Sequence, residues 1–200
     1  MSTTSSAPGR PRDPGVDRRI AQAALDVFGE LGWAGFAMEV VAKRAGVGKA
    51  SLYLRWSGKE SLLTDALSTG LLRVSDVDTG ALHGDMVELA TQILDLYSGP
   101  TSRAALRLSL EAGAIPGVGE NYEAMRKAQT LAARAIVRRG IARGELPAGT
   151  SVTMLLDTLV GGAMMHAMST PPEKRAELAS NTGDHARRLV DFLMRAVTGP

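Results

Sequence analysis

The segment Gly46-Val47-Gly48-Lys49-Ala50-Ser51-Leu52-Tyr53-Leu54-Arg55-Trp56-Ser57-Gly58-Lys59-Glu60 holds the side chains whose types and spacing suggest a task. Wound as a helix at about 100° per residue, it puts Leu52 and Trp56 on one side and Ala50, Ser51, Tyr53 and Leu54 on the other. That outer side is small and neutral at its N-terminal end, a shape that admits a helix to base edges in a DNA major groove about 12 Å wide. Lys49, Tyr53, Arg55 and Lys59 flank it with hydrogen-bond donors suited to phosphate oxygens. Arg10 and Arg12 are candidates for an adjacent minor groove, the alternative being a basic tail without a role. A phosphate-binding P-loop does not fit: its first glycine falls on Lys43, and no strand precedes it.

Other chemistries find little support. Cysteine is absent, so thiolate catalysis, thiolate metal sites and disulfides are excluded. The three histidines, His83, His166 and His185, have no i, i+4 partner, so no metal and no cofactor are expected. An all-α enzyme would need an acid/base cluster or nucleophile; Asp157 and His166 are the nearest approach to one, and no third group joins them. The chain has 200 residues, 44% hydrophobic and 22% charged, which fits one or two packed domains. No apolar run approaches the roughly 18 to 20 residues that span a bilayer, and residues 1–15 lack the apolar core of a signal peptide, so a cytoplasmic protein without a membrane partner is expected. Charge is uneven. Residues 1–60 carry nine Lys/Arg against six Asp/Glu, whereas the remainder carries 14 against 15, a small N-terminal bias toward a polyanion partner.

The elements that must position these groups read as helices throughout, because apolar residues recur at three and four residue spacings and period-2 alternation is nearly absent. Residues 1–15, rich in Ser, Pro, Gly and Arg, read as a flexible arm. A first helix is predicted over Val16–Leu31 with Ile20, Ala24, Val27, Phe28 and Leu31 inward and Gly32 as its stop. Met38–Ala45 and Lys49–Trp56 flank the Gly46-Val47-Gly48 turn as a helix-turn-helix. Ser57 and Glu60 form a predicted capping box opening a fourth helix that runs to about Ser75. Five further helices follow, with residues 181–184 a candidate interruption of the last.

With these residues in view, positions 20–67 closely resemble the DNA-binding domain of the TetR/AcrR family of transcriptional repressors. The resemblance rests on Gly32-Trp33, Val41-Ala42, Ala45-Gly46-Val47, Leu52-Tyr53, Trp56 and Lys59-Glu60-x-Leu62-Leu63, about a quarter of the chain. It implies an all-α protein: a three-helix helix-turn-helix domain at 16–60 joined to a helical ligand-binding and dimerisation domain at 61–200. It also implies a homodimer on a palindromic double-stranded DNA operator, released when a small-molecule inducer fills the C-terminal domain and moves helix 4. Phe36-Ala37 and Gly48 stand where the family usually has Ser or Thr, so capping and phosphate roles are not carried onto Ala37 or Gly48. Arg55-Trp56 replaces the more frequent His-Phe pair, with Arg55 a phosphate or guanine contact and Trp56 core.

The expected cavity, among helices 5 to 8, would be lined by Met86, Leu89, Ile93, Tyr97, Leu106, Leu110, Met125, Gln129, Asp157 and His166, an apolar set suited to an apolar ligand. The small and apolar residues of the eighth and last helices suggest a four-helix dimer interface through Leu159, Gly162, Met165, Leu189, Leu193 and Val197. The rival reading is an all-α small-molecule-binding or adaptor protein without DNA binding; salt-dependent affinity for duplex DNA separates the two.

Overall fold

A computed structural model describes residues 14–71 and 77–199; Arg10, Arg12 and nearly all of the expected arm lie outside them. Among the described residues there are ten α-helices and no strand: α1 (Pro14–Gly35), α2 (Met38–Ala45), α3 (Lys49–Tyr53), α4 (Lys59–Gly70), α5 (Leu82–Ser98), α6 (Ser102–Glu111), α7 (Gly119–Ala142), α8 (Val152–Ser169), α9 (Arg175–Ser180) and α10 (Thr182–Thr198). Short 3-10 turns occupy Ala112–Ala114 and Pro172–Lys174.

The N-terminal core forms because α1 carries Ile20, Ala24, Val27 and Phe28 on one stripe, all inaccessible to solvent. Onto it pack Val41 and Ala42 of α2, Leu52 of α3, and Leu62, Leu63 and Ala66 of α4. Thus α4, assigned from sequence to the second domain, buries its apolar face in the first. The Ala104 and Leu108 side chains of α6 complete this core, with Ile115 and Val118 beyond them. Gly32 interrupts α1 at φ 66, ψ −175, as its expected stop requires, and the chain then makes one further turn to Gly35. Leu31 is not in the stripe; it is exposed on the outer side of α1.

Three further expectations need correction. α3 ends at Tyr53, and residues 54–56 continue only as a turn closed by the Trp56 N–H donating to the Leu52 carbonyl at 2.8 Å. The cap of α4 lies one residue later than the Ser57/Glu60 box: Ser61 Oγ accepts the Gly58 N–H at 3.3 Å and donates to the Gly58 carbonyl at 3.0 Å. α4 ends at Gly70 rather than near Ser75. The last helical segment is interrupted at Asn181, between α9 and α10.

A second core fills the other end of the molecule, where α5 packs against α10 and α8, with α7 beside them. Residues 77–81, which lead into α5, are tied there by Asp85, a fully buried carboxylate at the start of α5. It accepts from the Thr79 N–H at 2.6 Å and the Thr79 hydroxyl at 2.7 Å, and lies 3.7 Å from the guanidinium groups of Arg139 and Arg143. Burial pushes this carboxyl up, but the Thr79 donors and the two arginines outweigh it and hold it below its usual range.

Candidate nucleic-acid interface and internal cavity

The helix-turn-helix is built from backbone geometry more than from side-chain caps. Gly46 adopts φ 67, ψ 37, ending α2 in a left-handed turn in which the Val47 N–H donates to the Ala42 carbonyl at 3.0 Å. Neither Ala37 nor Gly48 supplies a side-chain cap to α2 or α3, in line with the missing hydroxyls. Leu52 is wholly buried and anchors α3 from beneath; Trp56 is half-buried and donates its Nε1–H to Asp65 at 3.1 Å. The opposite face therefore looks outward, with Ala50 exposed, Ser51 partly so, Tyr53 54% exposed and Leu54 83% exposed.

The flanking cations are held differently from one another. Lys49 is exposed and its ammonium pairs with Glu39 at 3.3 Å, a solvated contact that competes weakly with a phosphate. Arg55 is mostly covered: its Nε stands 2.8 Å from Asp17 Oδ1, and its Nη1–H donates to the Ser51 carbonyl at 2.9 Å. Arg55 thus ties the end of α3 to the start of α1. Lys59 is half-buried with its ammonium 3.9 Å from the centre of the Trp33 ring, a cation–π contact, and Trp33 itself stacks on Phe36. The Asp17 contact also brings the N-terminal turns of α1, which carry the exposed Arg18 and Arg19, toward the end of α3. Those two arginines were missed in the sequence, where only a contact between positions 38 residues apart distinguishes them.

A second feature connects the N-terminal core to α6. Glu111 Oε2 accepts the Trp33 N–H at 2.8 Å, and Arg107 donates to Glu111 Oε1 at 2.8 Å. Arg107 also reaches the Gly29 and Glu30 carbonyls, at 3.5 and 3.4 Å, near the end of α1 where carbonyls lack helical partners. α6 approaches so closely that a Cβ on Gly29 would stand 2.9 Å from the Ala104 backbone nitrogen. The Trp33 N–H, then Arg107, hold the Glu111 carboxyl below its usual range.

Between α4, α6 and α7 lies a cavity of about 380 Å³, lined by Thr64, Leu67, Ser68 and Leu71 of α4, Ala105 and Leu108 of α6, Val118, and Asn121, Tyr122 and Met125 of α7. Of the ten residues expected to line a cavity, only Met125 does so here. Met86, Leu89 and Ile93 are packed in the second core, and Tyr97 borders it. Leu106 and Gln129 are half-buried elsewhere, while Leu110, 78% exposed, and Asp157 face solvent, because each falls on the outer side of its helix. His166 lines a smaller cleft with His185, their rings 4.8 Å apart.

The expected dimer residues also divide. Leu159 and Leu193 are buried inside the chain, Leu193 at the floor of a cleft beside Met154 and Phe192; Gly162 lies beside Leu189, and Val197 is half-buried. Met165 is exposed. Its neighbours on that side of α8 are Met154, Thr158, Gly161 and Met168, all exposed at alternating four and three residue spacings. Phe192 of α10, 62% exposed, and Ala196 lie outward as well.

No described helix is long and apolar enough to cross a membrane, and no described group of three or more His, Asp or Glu could hold a metal ion. Residues 20–66 match the family model of bacterial regulatory proteins, tetR family, and residues 76–192 match that of a Tetracyclin repressor-like C-terminal domain. The uncharacterized HTH-type transcriptional regulator YdeS of Bacillus subtilis (strain 168) is 30% identical over 168 residues, 82% of this chain and 84% of its own. The HTH-type transcriptional regulator AqdR of Rhodococcus erythropolis is 31% identical over 153 residues, 76% of this chain and 73% of its own. The ketosteroid transcriptional regulator KstR2 of Mycobacterium tuberculosis shares the fold, with a TM-score of 0.74 at 15% identity over 96% of this chain and 98% of that one.

Proposed function

This chain belongs to the tetR family of bacterial regulatory proteins and is a DNA-binding transcriptional regulator rather than an enzyme, and from that premise we propose that it is a ligand-released repressor. A homodimer places two copies of α3 in successive major grooves of a palindromic operator, about 34 to 36 Å apart or a multiple of that spacing. The observation that carries this reading is the outer face of α3. Tyr53 and Leu54 are held in solvent by a wholly buried Leu52, an arrangement that stabilises nothing in the isolated chain. Ala50, Tyr53 and Leu54 then meet base edges and sugar, Leu54 fitting a thymine methyl, while Lys49 and Lys59 meet phosphates. Arg18 and Arg19 join the phosphate set; Arg55, committed to Asp17, positions α3.

The dimer reading is supported by the exposed α8 row Met154, Thr158, Gly161, Met165 and Met168, whose heptad-like spacing suits a helix pair, with Phe192 and Ala196 beside it. Gly161 has no atom within 4 Å of a Cβ built there, which leaves room for a partner's helix. A small molecule in the cavity between α4, α6 and α7 would press on two helices that both pack on α1, moving α3 and lowering operator affinity. The protein works in the cytoplasm, where its operator is. Selection of binding sites from random duplexes, followed by anisotropy titrations against salt, tests the reading. Salt-dependent binding of two chains per twofold site is expected; an affinity for duplex DNA that is absent, or indifferent to salt and sequence, overturns it.

A further inference from the structure

Among the described residues, the lining of the cavity between α4, α6 and α7 contains no Asp, Glu, Lys, Arg or His. Its walls are Leu67, Leu71, Ala105, Leu108, Val118 and Met125, and its polar groups sit on opposite sides: Thr64 and Ser68 on α4, Asn121 and Tyr122 on α7. The two α4 hydroxyls have already spent their protons. Thr64 donates to the Glu60 carbonyl at 2.9 Å and Ser68 to the Asp65 carbonyl at 2.8 Å, so toward the cavity each oxygen can only accept. Asn121 donates to the Gly117 carbonyl at 3.4 Å and keeps its own carbonyl oxygen as an acceptor. The Tyr122 hydroxyl has no hydrogen-bond partner among the described residues, and burial pushes its phenol up against the weaker opposing effect of Arg126, so at neutral pH it remains an uncharged donor.

Resting on the reading of this cavity as the effector site, we propose that its ligand is an uncharged, mainly apolar molecule bearing a hydroxyl or comparable donor at one end and an acceptor toward Tyr122. The ligand donor meets the Thr64 and Ser68 oxygens, which can offer nothing to a carboxylate or phosphate. Taking an anion into this lining strips its water without supplying a cation. Among the described lining residues an ammonium would find no carboxylate and a single aromatic ring. The volume, near the lower end of the range for small-molecule sites, suits a compact ring compound rather than a long-chain conjugate.

Calorimetric titration of the full chain with four probes of one shape tests this: 2-naphthol, naphthalene, 2-naphthoate and 2-naphthylmethylammonium. Naphthol is expected to bind best, with both ions at least about ten-fold weaker. Tyr122→Phe should weaken a fifth probe, 2-naphthaldehyde, whose carbonyl can only accept, roughly three- to ten-fold and leave naphthalene unchanged. Naphthoate binding as tightly as naphthol, or a Tyr122→Phe variant with unaltered preference, overturns the ligand class while leaving the cavity as a site. Met125→Trp, at the half-exposed edge of the cavity, should abolish naphthol binding by filling the space. Undiminished binding in that variant, or no binding of any probe to the wild type, removes the cavity itself. Binding that leaves DNA affinity unmoved separates the two readings, since it overturns the effector role and keeps the ligand class.

Discussion

Glu111→Gln should lower the thermal midpoint and, at the same time, weaken the link between an occupied cavity and the DNA-binding helices. The wild-type carboxylate takes a charge-assisted bond from the Trp33 N–H at 2.8 Å and another from Arg107 at 2.8 Å. A hydrogen bond to a charged group contributes roughly 1.5–3 kcal/mol, about twice a neutral one, so glutamine retains approximately half. The partly exposed i, i+4 pair with Arg107 adds only about 0.3–0.5 kcal/mol. A net loss of about 1–2 kcal/mol corresponds to a midpoint lower by roughly 2–8 °C for a chain of this size. The pH dependence supplies an internal check. The folded-state pKa of Glu111 lies below its ordinary 4.5, so its contribution is fully present above that value and is lost as pH falls through the lower, folded-state one. Calorimetric scans at fixed chain concentration should therefore show a gap at neutral pH that closes as the solution is acidified below 4.5 and through the lower folded-state value. Equal midpoints at neutral pH, or a gap indifferent to pH, would refute the assignment of the α1–α6 attachment to this carboxylate.

Further outcomes follow from the same geometry. Lys49→Ala should reduce the salt slope of log K for DNA by about one unit with little change in midpoint, whereas Arg55→Ala should lower the midpoint, because Arg55 holds α3 to α1; equal thermal effects would contradict that contrast. Met165→Glu puts a charge into the exposed α8 row and should convert the proposed dimer to monomer in sedimentation without unfolding it; an unchanged sedimentation coefficient would move the proposed interface elsewhere. Burial, then Arg188 and His166, push His185 below its ordinary 6.5, against weaker opposing effects of Glu177 and Asp184. The unfolded chain therefore takes up a proton that the folded one resists, and stability should fall as pH drops below about 6.5. Denaturant titrations of His185→Gln should show a shallower fall over that window, and an identical slope would exclude His185 as its source.

How far the residues alone reach can be judged from particular positions. Gly32 and Gly46 mark their breaks plainly, since each occupies a positive φ that other residues avoid, and Leu52 lies beneath α3 as its helical phase demands. Met38–Ala45 falls on its expected span because apolar periodicity and a terminal glycine act within a few residues. The family resemblance across 20–67 was likewise carried by local motifs. Those features are local, and local periodicity records them. The cavity between α4, α6 and α7 was not legible in the sequence, because its place depends on which helix faces meet, and many leucine-bearing faces are interchangeable in sequence. For the same reason Leu159 and Leu193 turned inward while Met154 and Phe192 remained outside. Arg55 against Asp17, Lys59 over Trp33 and Glu111 beneath the Trp33 N–H join positions far apart in the chain. Helical periodicity tells which side of each segment is apolar; only packing of the completed helices decides which charged group each neighbour receives.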